Sequence, residues 1–257
     1  MPRYLSIFLP LILCALFACG CSTDKVTLLR MAEAERIVRD TPEEALRLIE
    51  GVDRATIATK HDMARYRLIL SEALYHNRID SDCDSITRPM VEYYMESDHH
   101  HEAARALYQH SLVLQRQGSD RLAEAMVTLI EAEERVAQCG DDRLHGLIYR
   151  AKGDIYADGC LFANALEVYT KAKECFDRLG LEYHSASLDY DMGAMQIQLR
   201  NFERAEALLG DALAYGIGAD NRRFICGVLH ELLDLSIYMD DYEMCRRLVT
   251  MFAEYDC

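Results

Sequence analysis

Two short runs in this chain concentrate side chains able to do chemistry. Asp98-His99-His100-His101-Glu102 gathers imidazoles and carboxylates, the ligand types of a zinc or related divalent-metal site. Neighbouring residues in a turn point in different directions, whereas ligands on a helix need i, i+4 spacing, so this run is expected to be a solvated interhelical turn. His230-Glu231-Leu232-Leu233-Asp234 has the outline of an HExxH zinc helix with its last histidine replaced by aspartate. The replacement removes a zinc ligand, and His230 and Asp234 share a helical face on which they can bind each other. A metal-dependent activity at His99 to His101 or at His230 stays open only as an alternative. The ten cysteines, at positions 14, 19, 21, 83, 139, 160, 175, 226, 245 and 257, form no CxxC pair and no zinc spacing, and are expected to be buried small hydrophobes rather than disulfides. Glu133-Glu134 and Asp240-Asp241 read as surface or capping charges, and Gly216-Ile217-Gly218 as a helix end and turn. With no nucleophile elbow, phosphate loop or dinucleotide fingerprint, neither an enzyme nor a cofactor is expected.

The elements that would have to position any site repeat along the chain. Leu122, Ala125, Leu129 and Ala132 return as Phe162, Ala165, Tyr169 and Ala172, then as Phe202, Ala205, Leu209 and Ala212, and again as Tyr242, Cys245, Val249 and Phe252, forty residues apart each time. Spacings of three, four and three put each quartet on one helical stripe, and its small members admit a neighbouring helix. Gly153 is matched at Gly193, and the helix-ending Gly140 at Gly180. Helix pairs that cannot bury their apolar faces alone stack into a solenoid, so the fold is expected to be all-α.

Tyr149, Gly153, Tyr156, Phe162, Ala165, Tyr169 and Ala172 resemble the tetratricopeptide repeat (TPR) signature. The next copy departs from it at Asp189 and Gln196 but keeps Gly193, Phe202, Ala205 and Ala212. The resemblance implies an α-α superhelical solenoid, here with helices longer than usual to fill the forty-residue period. Six helix pairs are expected in one continuous array, degenerate over residues 26–97 and regular over 98–257. The early helices are VTLLRMAEAERIVRD, a second over PEEALRLIE with Thr41 as N-cap and Pro42 at its first position, a third over about 61–77, and a fourth reaching Met95, capped from the 80–85 segment and with Pro89 near its first turn. Four regular pairs follow at about 100–138, 141–179, 182–216 and 220–255.

The N-terminus carries Arg3 and an apolar run from Leu5 to Phe17, too short to span a bilayer and read as a cleaved signal peptide over residues 1–18, with a tether over 19–25. Leu16-Phe17-Ala18-Cys19 resembles a bacterial lipoprotein processing box, which implies lipidation of Cys19; Ala18-Cys19-Gly20-Cys21 offers Cys21 instead. Cleavage leaves 27 basic and 43 acidic residues, a charge of 27 − 43 = −16 that repels phosphate backbones, so nucleic acid is excluded as a partner and the membrane is met through the lipid anchor alone. PEEALRLI, RYRLILSEALYHNRID and DCDSITRPMVEYY further resemble exported TPR proteins of Bacteroides and relatives. That resemblance implies an exported, lipid-anchored protein, expected on the periplasmic face of a bacterial membrane with the cell surface as the alternative. Because longer members lead to an output domain, it also leaves open a sensory part, or remnant, of a transmembrane regulator.

A solenoid of helix pairs offers the wall made by its first helices as a groove. The residues expected there are Leu147, Arg150, Asp154 and Asp158, then Tyr190, Ala194, Ile197 and Gln198, then His230, Asp234, Ile237 and Tyr238. Aromatic and aliphatic groups flanked by charge suit a peptide or amphipathic helix, which makes a non-enzymatic interaction scaffold the main reading. The Lys/Asn pattern that holds a C-terminal carboxylate in some such repeats is missing: Arg150 is present, but Asp154 would repel the anion. Val249 and Phe252 belong to a stripe that packs on the following repeat in earlier units, so this end is expected to dock on a partner, a second copy, or residues lost by truncation.

Overall fold

A computed structural model describes residues 22–79 and 84–257, so the signal peptide, both candidate lipidation cysteines and the capping residues 80–83 lie outside the described residues. Among the described residues every regular element is helical: twelve α-helices, two short 3-10 turns and no strand. They form two compact units, one ending at His99 and one beginning at His100.

The first unit holds α1 (Lys25–Ile37), α2 (Pro42–Glu50), α3 (Lys60–His76) and α4 (Asp84–Met95). The Asp24 carboxylate caps α1 by accepting from the N–H groups of Val26 and Thr27, and Thr59 caps α3 through Asp62 N–H. Pro42 opens α2 as expected, but Thr41 stands at the N-cap position without a side-chain bond. Pro89 also departs from expectation: it is the sixth residue of α4 (84 to 89) rather than part of its first turn, and it brings no N–H to the helix there. Met31, Ala34, Ala45, Ile49, Leu68, Ile69, Met90 and Tyr94 form the sealed interior.

The second unit holds α5 (His100–Gln117), α6 (Leu122–Val136), α7 (Asp142–Asp158), α8 (Phe162–Arg178), α9 (Glu182–Gln198), α10 (Phe202–Gly218), α11 (Arg222–Tyr238) and α12 (Tyr242–Tyr255). From α7 onward each helix starts twenty residues after the last, because each ends in the same turn. Gly140, Cys160, Gly180, Arg200, Asp220 and Asp240 all take the left-handed conformation, with φ between 49° and 68°. The N–H one residue further on reaches back to a helical carbonyl: Leu161 to Tyr156, Leu181 to Phe176, Asn201 to Gln196, Asn221 to Gly216 and Asp241 to Ser236. This 6→1 bond stops each helix at the same phase and occupies carbonyls that would otherwise lack a donor. The forty-residue period is thus two twenty-residue helix-and-turn units.

The small residues of the quartets do the packing expected of them. Ala125, Ala132, Ala165, Ala172, Ala205 and Ala212 are fully buried, as are Leu129 and Leu209, with Tyr169 almost so. Gly153 has no room for a side chain, since a Cβ there would lie 2.3 Å from the Tyr169 ring; at Gly193 it would lie 2.7 Å from Leu209. In the fourth copy Met244 and Leu248 turn inward while Val249 stays 57 % exposed. Phe252 does not stand free as the sequence led us to expect: it packs on the α11–α12 core and edge-on against His230, ring centroids 4.9 Å apart.

The expectation for the cysteines needs correction as well. Among the described residues Cys226 on α11 and Cys257 form a disulfide, Cys175 is buried, Cys139 and Cys160 are exposed, and Cys245 is half-buried. The pair meets because Asp256 turns the backbone left-handed and Cys257 N–H bonds the Phe252 carbonyl. Arg222 holds the same segment through the Tyr255 carbonyl, at 2.7 Å, and Asp256.

Candidate functional site

The first helices of the last three pairs, α7, α9 and α11, are joined by a chain of polar side chains. Arg150 on α7 donates from Nη2 to Ser187 Oγ at 3.0 Å and to Asp191 Oδ2 at 2.9 Å, both on α9. One turn beyond Arg150, Asp154 Oδ1 accepts from the Tyr169 hydroxyl of α8 at 2.8 Å. Tyr190, beside Asp191, directs its hydroxyl at Glu231 Oε1 on α11, 3.4 Å away. Two half-buried carboxylates thus share one guanidinium, and Glu231 has a neutral phenol.

The shortage of positive charge shows in the protonation equilibria. Burial pushes the Asp191 carboxyl up to about 6, against the pull of Arg150 and with the help of Asp154 and Glu231. Burial likewise raises Asp154, despite Arg150, and Glu231, with Asp234 adding to the shift. The Tyr190 phenol is pushed up to about 12, by burial and then by Glu231.

The expected groove residues divide accordingly. Arg150, Asp154 and Tyr190 meet in the network; Leu147 is half-buried against the core between α7, α8 and α9, and Ala194 is half-buried on α9. Asp158 and Gln198 are exposed at the ends of α7 and α9, and Asp234, Ile237 and Tyr238 are exposed along α11, with the Tyr238 ring parallel to Phe202. One assignment fails. Ile197, at 4 % exposure, belongs to the core with Leu209 and Leu229, because it lies one turn past Gly193 on the packing stripe. His230 is exposed on α11, where it donates from Nδ1 to the Cys226 carbonyl, meets the Phe252 ring of α12 edge-on and acts on Glu231 through its charge.

Ser187, Asp191 and Glu231 were absent from the sequence-derived set. For the two carboxylates the signal is an offset of forty-one: Asp191 follows Arg150, and Glu231 follows Tyr190, by one repeat plus one residue, whereas Ser187 lies thirty-seven residues on from Arg150. Beyond this face, the three consecutive histidines part company. His99 packs at 5.0 Å from the His61 ring within the first unit, His100 accepts from Arg135, and His101 Nε2 bonds Asp141 Oδ2 at 2.9 Å within the second. No group of three metal-ligating side chains comes together among the described residues.

These features define a helical-repeat fold of the tetratricopeptide type. No family model and no curated protein matches the sequence. Solved structures do match. BtubC (BKLC) from P. vanneervenii superposes with a TM-score of 0.65 at 18 % identity over 91 % of this chain and 92 % of its own. PilF of Pseudomonas aeruginosa gives 0.62 at 16 % identity over 90 % and 92 %. Aspartyl phosphate phosphatase F from Bacillus subtilis gives 0.65 at 12 % identity, with 89 % of this chain covering 61 % of that one. At these identities the likeness is one of fold.

Proposed function

We propose that this chain is a non-enzymatic interaction scaffold, exported and tethered to a bacterial membrane by acyl chains on Cys19 or Cys21, that holds a protein or peptide segment on the face made by α7, α9 and α11. The observation that carries the reading is the alignment on that face of Arg150, Tyr190, Asp191 and Glu231, contributed by three successive first helices and only partly covered. An extended surface of this kind meets a linear segment at several points, as recognition of a peptide or helix requires. The Cys226–Cys257 disulfide favours export, since such bonds persist in oxidising compartments.

Crosslinking in the native cell followed by pull-down of the tagged chain tests this reading. Tyr190→Ala is the informative variant: its ring is half-exposed on the face, and its loss should release the captured partner by about tenfold or more. Arg150→Glu is less informative, because it sets a third carboxylate beside Asp154 and Asp191 and threatens the fold. Retention of every partner by a folded Tyr190→Ala chain would remove this face from the account.

A further inference from the structure

We infer that the segment held on this face is basic, carrying arginine or lysine side chains onto Asp191 and Glu231; this deepens the scaffold reading and rests on it. Two features of the same surface point to that chemistry. The first is an aromatic platform that ends on Tyr190, whose hydroxyl is directed at Glu231. Tyr183 at the start of α9, Tyr215 on α10 and Phe224 at the start of α11 cluster with centroids 6.0 to 6.4 Å apart, and Tyr190 joins through Phe224 at 6.2 Å. Tyr183 is 49 % exposed, so part of the platform faces water. The close approach of α10 and α11 at this point is set by Gly216, where a Cβ would lie 3.0 Å from Ile225 and 3.2 Å from Phe224. Aromatic faces of this kind attract guanidinium and ammonium groups.

The second feature is the charge of the surroundings. Among the described residues the cation in contact with Asp191 is Arg150, which Asp154 also draws on, and Glu231 is in no salt bridge with lysine or arginine, the neighbouring His230 acting on it only through its field. A guanidinium arriving between Tyr190 and Glu231 would supply the missing charge while its planar face rests on the platform, a combination that arginine provides better than lysine. An acidic or C-terminal-carboxylate ligand would meet Asp154, Asp191 and Glu231 with like charge. The whole-chain charge of −15 acts in the same direction at long range, raising the encounter rate of cationic segments and repelling anionic ones.

The test uses the full-length chain and three fluorescein-labelled peptides of one length and one leucine spacing, whose remaining positions are arginine, glutamine or glutamate. Fluorescence anisotropy is read for the wild type and for Glu231→Gln and Tyr183→Ala, each checked by its thermal melt. The expected result is binding of the arginine peptide, weakened about tenfold in either variant, with no binding of the glutamate peptide. Arginine-peptide binding that both variants retain would be diffuse attraction to an acidic surface and would overturn the inference. Equal binding of the glutamine peptide, lost in Tyr183→Ala, would overturn the basic partner while keeping the face as a peptide site. If none of the three bound, both the inference and the scaffold reading of this face would fall.

Discussion

Asp191 carries the energetic tension of the second unit. Arg150 and Asp154 face it from α7, Tyr169 from α8 and Glu231 from α11, and burial holds its carboxyl near 6 against an ordinary 3.8. The folded chain therefore binds this proton more tightly than the unfolded chain. The group's contribution is fully favourable below about pH 4 and is lost as pH rises through 6, a swing of about 1–3 kcal/mol. Urea melts of the wild type and Asp191→Asn at pH 4 and pH 7 are expected to differ in this sense: the stability of the wild type relative to the variant falls at the higher pH. A difference that did not change with pH would mean that the carboxylate is not held buried and undercompensated.

At the scale of the element, the left-handed turn recurs whether or not the residue suits it. Glycine at 140 and 180 enters that conformation freely, and Asp220 and Asp240 tolerate it, but Arg200 and Cys160 carry a Cβ that crowds the following carbonyl. Arg200→Gly is expected to stabilise the chain by about 0.5–1 kcal/mol, the relief of strain less the added freedom of the unfolded chain, and to raise Tm by about 1–4 °C. An unchanged or lowered Tm would show that the Arg200 side chain makes a compensating contact.

The same turns explain what could be read in advance. The quartets and Gly153 revealed the helix pairs because their small residues are buried wherever two helices touch, a local demand written into each repeat. The turns at Cys160 and Arg200 left no mark, since neither residue type favours φ > 0. Ser187, Asp191 and Glu231 were missed because contact between neighbouring first helices depends on how far one slides past the next, which no single repeat records. Ile197 was misplaced for a related reason: a helical face near the packing stripe divides between core and surface within one residue of rotation. The Cys226–Cys257 bond depended on a tail that folds back only through Asp256.

For the whole molecule, the proposal of a tethered, acidic scaffold makes a demand on its N-terminus. Metabolic labelling with a clickable fatty acid is expected to mark the wild-type chain and Cys21→Ser but not Cys19→Ser. Labelling lost in Cys21→Ser instead would move the anchor two residues on, and an unlabelled wild-type chain would leave the scaffold without its tether. With the anchor in place, the net negative charge would keep the helical units standing off an anionic bilayer.

Because helix and turn together take twenty residues from α7 onward, the backbone comes back into step at every second turn. Copying or excising forty codons within this stretch would splice in or remove one helical hairpin while keeping every surviving neighbour in register. The same event with twenty codons would exchange inner and outer helices for all that follows. Chain length in proteins of this build should therefore vary by whole hairpins, and each added hairpin would lengthen the face on which Arg150, Asp191 and Glu231 stand.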